Sequence, residues 1–187
     1  MRKWCCIVVF MVGLCLAVSL VGCGETQRAL NDPIPVPQDM DLSSPEQAVR
    51  TYLSWLTYSY RNMDSEIATP TMTPDLAQRV GYYITMNAAT EKALNQRLDS
   101  FEIIDIEVAD TVARVTTEEG WTFNYMSLQT GQFDEPVIAR YRVVYTVLFI
   151  EAEWRVQAAD ATVLETTAAE TTAEQVEDEQ IEDDSSK

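Results

Sequence analysis

The sequence predicts an α+β domain, with N-terminal helices packed on one face of a curved antiparallel sheet. Apolar residues first recur at helical spacing; from Phe101 onward the period drops to two and stays there. The helical segments precede the strands with no βαβ alternation, which argues against a doubly wound parallel sheet.

Ser44-Pro45-Glu46-Gln47 opens the first helix. Ser suits the cap, Pro the first helical position, and Gln47 completes a capping box. Val49, Tyr52, Leu53, Leu56 and Tyr60 then form one apolar stripe, with Trp55 beside it. "TPTMTPD" breaks the pattern. Thr73 and Pro74 cap and start a second helical stretch carrying Leu76, Val80, Tyr83, Ile84, Leu94 and Leu98, with a bend expected near Asn87. In "FEIIDIEV", alternation sets Ile104, Ile106 and Val108 on one face and Asp105 and Glu107 on the other, toward solvent. "VARV" follows a turn, and "WTFNY" brings Trp121, Phe123 and Tyr125 together. The longest strand, "VIARYRVVYTVLF", puts Tyr141, Val143, Tyr145, Val147 and Phe149 on a shared face, and "WRVQAA" pairs back with Trp154 and Val156.

The ends of the chain have a different character. Residues 1–22 read as an export signal: Arg2 and Lys3, an apolar middle, then small residues before a cut point. "LVGC" resembles the bacterial lipobox, in which the cysteine thiol receives a diacylglyceryl group and becomes the new N-terminus; the resemblance covers the leader and assigns the lipid to Cys23. The alternative is an uncleaved anchor, since Trp4 to Val21 has about the 18 apolar residues a spanning helix needs. Gly24 stands where many diderm lipoproteins carry an inner-membrane retention aspartate, which leaves inner and outer membrane both open. Residues 23–42, with Pro33, Pro35 and Pro37 at alternate positions, read as an extended tether. Residues 43–163 form one domain, and 164–187, where an "ETTA" repeat runs into acidic clusters, read as a disordered tail.

Composition narrows the function classes. Cys5, Cys6 and Cys15 lie in the leader, so the processed chain keeps no thiol beyond Cys23 and no disulfide. With His absent as well, the usual zinc sets and every His-based triad are excluded, and neither cofactor nor metal is expected. The formal charge is -17; losing Arg2 and Lys3 with the leader makes it -19. So acidic a chain is a poor partner for nucleic acid or anionic lipid, which leaves the acyl chains to hold the membrane.

The order "SPEQAVRTYLSWL", second helical stretch, "FEIIDIEV", "ARVTTEEGWTFNY" and "RYRVVYTVLFIEAEWRV" is similar to the cone-shaped nuclear transport factor 2-like superfamily. That resemblance implies isomerase-like or dehydratase-like enzymes, ligand carriers or protein-binding domains, and fold does not choose among them. Its dehydratase-like members rely on histidine, absent here. An isomerase-like site needs a carboxylate inside the cone beside a Tyr donor, and the sequence shows none there. Tyr52, Trp55, Tyr83, Phe123, Tyr125, Tyr141, Tyr145 and Trp154 form the one constellation suited to a ligand, with plain core packing as the alternative. Arg114, Arg140, Arg142 and Arg155 are candidates for a partner-binding patch, with cross-strand pairing to Glu102, Asp105, Glu107 or Glu118 as the alternative. The expectation is a non-catalytic protein-binding or accessory lipoprotein on the extracytoplasmic face of a bacterial cell membrane, partnered through Cys23 with the membrane and with another envelope protein. A carrier of a small apolar ligand is the alternative, and an enzyme a distant third.

Overall fold

The computed structural model describes residues 30–167. Helix α1 (Pro45–Asn62) begins where Ser44 Oγ accepts from the Gln47 amide at 3.2 Å. It ends with Met63 in the left-handed region, φ 56, and Asp64 N–H donating to the Ser59 carbonyl. A single 3-10 turn (Thr69–Thr71) leads to α2 (Pro74–Ala89). Thr73 occupies the α2 cap position, but its hydroxyl makes no capping bond and is buried without a partner.

Four strands follow, β1 (Lys92–Ala109), β2 (Val112–Ser127), β3 (Val137–Ile150) and β4 (Glu153–Thr167), in one antiparallel sheet of order β1-β2-β3-β4. This is the α+β architecture the sequence predicts. Register shifts interrupt β1 between Leu98 and Ser100 and between Ile103 and Asp105, and such irregularities bend a strand. At the first of them Gly120 lies against Ser100, where an added Cβ would sit 2.5 Å from Ser100 Oγ and would require that hydroxyl to move. The turn between β3 and β4 has positive φ at both Glu151 and Ala152, the pattern of a two-residue hairpin turn.

Directly opposed residues share a face, so pairing defines an inner face carrying Val115, Trp121, Val143, Tyr145 and Val147. Val49, Tyr52, Leu53 and Leu56 of α1 and Leu76, Val80 and Ile84 of α2 pack on it.

Three expectations are corrected. Leu94 and Leu98 do not belong to the second helix: α2 stops at Ala89, Glu91 takes φ 56, and both leucines lie on β1 opposite Tyr125 and Trp121. A spacing of four satisfies both periods, which is why the helical reading ran on. Ile104, Ile106 and Val108 do not make a buried face, since β1 is an edge strand whose far end no helix covers, and Val108 is 57% exposed.

The third correction concerns the ends. Residues 30–42 are docked on the domain: Leu30 and Leu42 are buried, Trp55 Nε1 donates to the Asp39 carbonyl and Thr51 Oγ1 to that of Asp41. Asn95, on the outer face of β1, donates to the Leu30 carbonyl at 2.9 Å and to Asn124 Oδ1 at 2.8 Å, and Asn124 in turn donates to Asn31 Oδ1. β4 continues through Leu164 to Thr167, residues the sequence placed in the tail. The leader, Cys23 and the rest of the tail lie outside the described residues. Among the described residues, no helix is long and apolar enough to cross a membrane.

Candidate functional site: an aromatic cavity with a buried carboxylate

Between α1, the end of α2 and the inner face of the sheet lies a cavity of about 320 Å³. That is at the small end of ligand cavities, which run from about 300 to 1,000 Å³. Tyr52, Leu53, Leu56 and Tyr60 come from α1 and Tyr83 from α2. Alternation on β2 and β3 turns Trp121, Phe123, Tyr125, Tyr141, Val143 and Tyr145 toward the same space. Across from β3, β4 presents only the methyl groups of Ala159 and Ala161, paired with Tyr145 and Val143. Those small residues leave the space that larger ones would close.

The wall also holds Glu119, which is 3% exposed. Its Oε1 accepts from Tyr145 Oη at 2.7 Å and from Thr117 Oγ1 at 2.7 Å, and its Oε2 accepts from Trp121 Nε1 at 2.8 Å. A buried carboxylate is tolerable when it is hydrogen-bonded in this way. The sequence reading finds no acid inside the cone, and Glu119 corrects it. The signal was present: Trp121, Phe123 and Tyr125 share a face, and stepping that alternation back by two residues reaches Glu119.

Four of the tyrosines, Tyr52, Tyr60, Tyr125 and Tyr145, are held neutral. Burial first, then the adjacent Glu119 charge and the bond to it, raise the Tyr145 hydroxyl well above the ordinary tyrosine range. Burial is also the main cause of the upward shifts at Tyr52 and Tyr60. Tyr125 shares a 3.2 Å hydroxyl contact with Tyr83, and that bond, with partial burial, pushes it up to about 12. Rings meet edge to face at Tyr52 and Tyr145, 6.2 Å apart, and tilted at Tyr60 and Tyr83, 5.3 Å apart. The set therefore offers hydroxyl donors and ring faces, while Glu119 is already engaged by three donors.

The structure sorts the candidate residues. Tyr52, Tyr83, Tyr141 and Tyr145, together with Phe123 and Tyr125, line the cavity; Tyr60, Trp121, Gln96, Ala159 and Ala161 join them without having been singled out. Trp55 and Trp154 do not belong to it. Trp55 bonds the docked N-terminal segment, and Trp154 is buried elsewhere against Phe149, ring centres 5.1 Å apart. Their helical and strand spacing is that of the lining residues, and only the third dimension separates them.

The four arginines share the outer face, and three of them are held to acids. Arg142 and Arg140 both reach Glu118, at 2.5 and 3.5 Å, and Arg140 also reaches Glu165. Arg155 contacts Glu153 at 2.9 Å and Glu151 at 3.5 Å. Arg114 is exposed, opposite Glu107 and Thr146 in the ladder. A wider groove of about 910 Å³ runs between the docked segment and α1, walled by Pro33, Pro35, Pro37 and Arg50; it is the crevice beside that segment.

No protein-family model and no curated protein matches the sequence. The structure is similar to the intermembrane space region of the chloroplast protein ARC6, at 12% identity and TM-score 0.56, over 67% of this chain and 99% of that one. At that identity the likeness concerns the fold alone. Its structural neighbours also include a nuclear transport factor 2-like superfamily protein from Salmonella enterica serovar Typhimurium strain LT2, at 14% identity and TM-score 0.46, over 69% and 95% of the two chains.

Proposed function

We propose that this chain is a lipid-anchored, extracytoplasmic binding domain of a bacterial cell envelope, acting without catalysis and holding a small molecule in its cone. The observation that carries the reading is the aromatic cavity kept open by Ala159 and Ala161. Glu119 already accepts from Thr117, Trp121 and Tyr145, and Tyr145 is held protonated, so the wall is fitted for holding a ligand rather than for moving a proton. The leader ending in "LVGC" supports attachment through Cys23. Native mass spectrometry of the full chain, purified from its own membranes in mild detergent, tests the binding role. A small molecule retained at one per chain and lost in Ala161→Phe is the expected result; a chain that carries none would count against it. Fatty-acid labelling tests the anchor, and equal label on wild type and Cys23→Ser would refute it.

A protein-binding role is the second reading. It is favoured by the uncovered end of β1, where Ile104, Ile106 and Val108 are exposed on an edge strand. Charge at this patch, as in Ile106→Asp with Val108→Asp, should lower recovery of a cross-linked envelope partner while the cavity keeps its ligand.

A further inference from the structure

The cavity wall has an electrostatic character that a carrier of neutral apolar molecules does not need. Eight of its sixteen lining residues are aromatic, Glu119 is the one ionisable acid among them, and none is Lys or Arg. All three groups bonded to Glu119 are neutral donors, so its charge is dispersed by hydrogen bonds and met by no cation. Two basic groups stand near the wall without lining it. Arg79, whose field reaches Tyr52, donates to the Gln157 carbonyl at 2.9 Å. Lys92, 5.7 Å from the centre of the Tyr125 ring, is bound to Asp134 at 2.8 Å. Ring faces carry the negative end of the aromatic quadrupole, and a carboxylate behind them adds a full charge of the same sign. An anion entering this space would be repelled. A neutral apolar molecule would fill it without drawing on Glu119.

We propose that the ligand of this cavity is a small organic cation, an alkylammonium or quaternary ammonium group held among the faces of Tyr52, Tyr60, Trp121 and Tyr141 with Glu119 as its counter-charge. The inference rests on the cavity being a ligand site and adds the chemical class. Two carboxylate oxygens offer about four acceptor positions, and three are used, which leaves one on Oε2 for an ammonium N–H; a quaternary group needs only the field and the rings.

Calorimetric titration of the full chain in non-ionic detergent, with choline and with dimethylbutanol, its uncharged carbon isostere, decides the class. Choline should bind at least about tenfold more tightly than the isostere, the scale expected of a partly desolvated cation against aromatic faces. Glu119→Gln should shrink that preference severalfold, and Ala161→Phe, which places a ring in the space, should abolish binding of both. The comparison on wild type alone suffices if Glu119→Gln fails to fold. Equal or tighter binding of dimethylbutanol would overturn the cationic class and leave the ligand site standing. Binding of neither probe would overturn the class too, and a small molecule still seen by native mass spectrometry would show that the site itself survives. A preference for choline unchanged in folded Glu119→Gln would also sink the assignment.

Discussion

Glu118 and Glu119 stand side by side in β2, one on each face of the sheet. Glu118 points outward, where Arg140 and Arg142 meet it at the surface and solvent screens the pairs. Glu119 points inward, nearly buried, and is held by three uncharged donors with no basic residue in the wall. The same side chain thus serves two physical purposes one residue apart. On the outer face Arg140 and Arg142 are neutralised in place by Glu118; the inner face keeps a charge and a ring-lined space that folding alone does not require. Stability measurements can break or sharpen the contrast.

The largest effect is expected at Glu119. Replacing it with Ala strands Trp121 Nε1 and Tyr145 Oη and leaves Thr117 Oγ1 only its 3.5 Å contact to the Val143 carbonyl, and at roughly 1 to 3 kcal/mol for each unsatisfied group, partly relieved by water, the loss should reach about 3 to 5 kcal/mol in urea unfolding. Removing residues 1–40 comes next. It exposes the site of Leu30, worth about 1.5 to 3 kcal/mol, and takes carbonyl and amide partners from Asn95 and Asn124, so a fall of about 2 to 4 kcal/mol in the same assay is expected. A truncated domain as stable as the full chain would mean that the segment is a tether after all.

Tyr145→Phe removes one bond to a charged acceptor and should cost about 1.5 to 3 kcal/mol, against about 0.5 to 1.5 for Tyr83→Phe, whose partner is the Tyr125 hydroxyl. The Tyr125 and Tyr145 hydroxyls also set an alkaline limit. Their folded-state pKa values lie above the ordinary 10.0, so the unfolded chain gives up its protons first. The stability they supply is whole below about pH 10 and is lost as pH rises through about 12. Urea midpoints should fall across that window, and Tyr125→Phe should flatten part of the slope. Glu118→Ala, the smallest, should change stability by less than about 1 kcal/mol.

Much of this was legible in the sequence. The cap at Ser44, the start of α2 at Pro74, the stripe of α1 and the strict alternation of β2 and β3 follow from local rules that the fold obeys, although the Thr73 hydroxyl makes no capping bond. Where two periods agree by coincidence, as at Leu94 and Leu98, local rules could not end α2. The docking of residues 30–42 depends on Asn95 and Asn124, more than sixty and ninety positions along the chain, and proline-rich composition carries no trace of that pairing. Within the site, alternation gathered Tyr141, Tyr145, Phe123 and Tyr125 correctly. It missed Glu119 because an acid in "TTEEG" reads as surface, although its parity with Trp121 places it inside. Trp55 and Trp154 erred the other way, as rings on the right elements whose neighbours turned out to be the N-terminal segment and Phe149.

The central claim is that a usable space lies between the helices and the sheet, and the urea unfolding curve of Val143→Phe, at a buried position of its wall, tests it without any ligand in hand. If the cavity is open, the new ring enters it and the variant unfolds at the wild-type free energy or somewhat above it, with the slope of the transition unchanged. If the cone is instead a packed core, the ring has nowhere to go, and the loss of about 1 to 3 kcal/mol that overpacking brings would contradict the account.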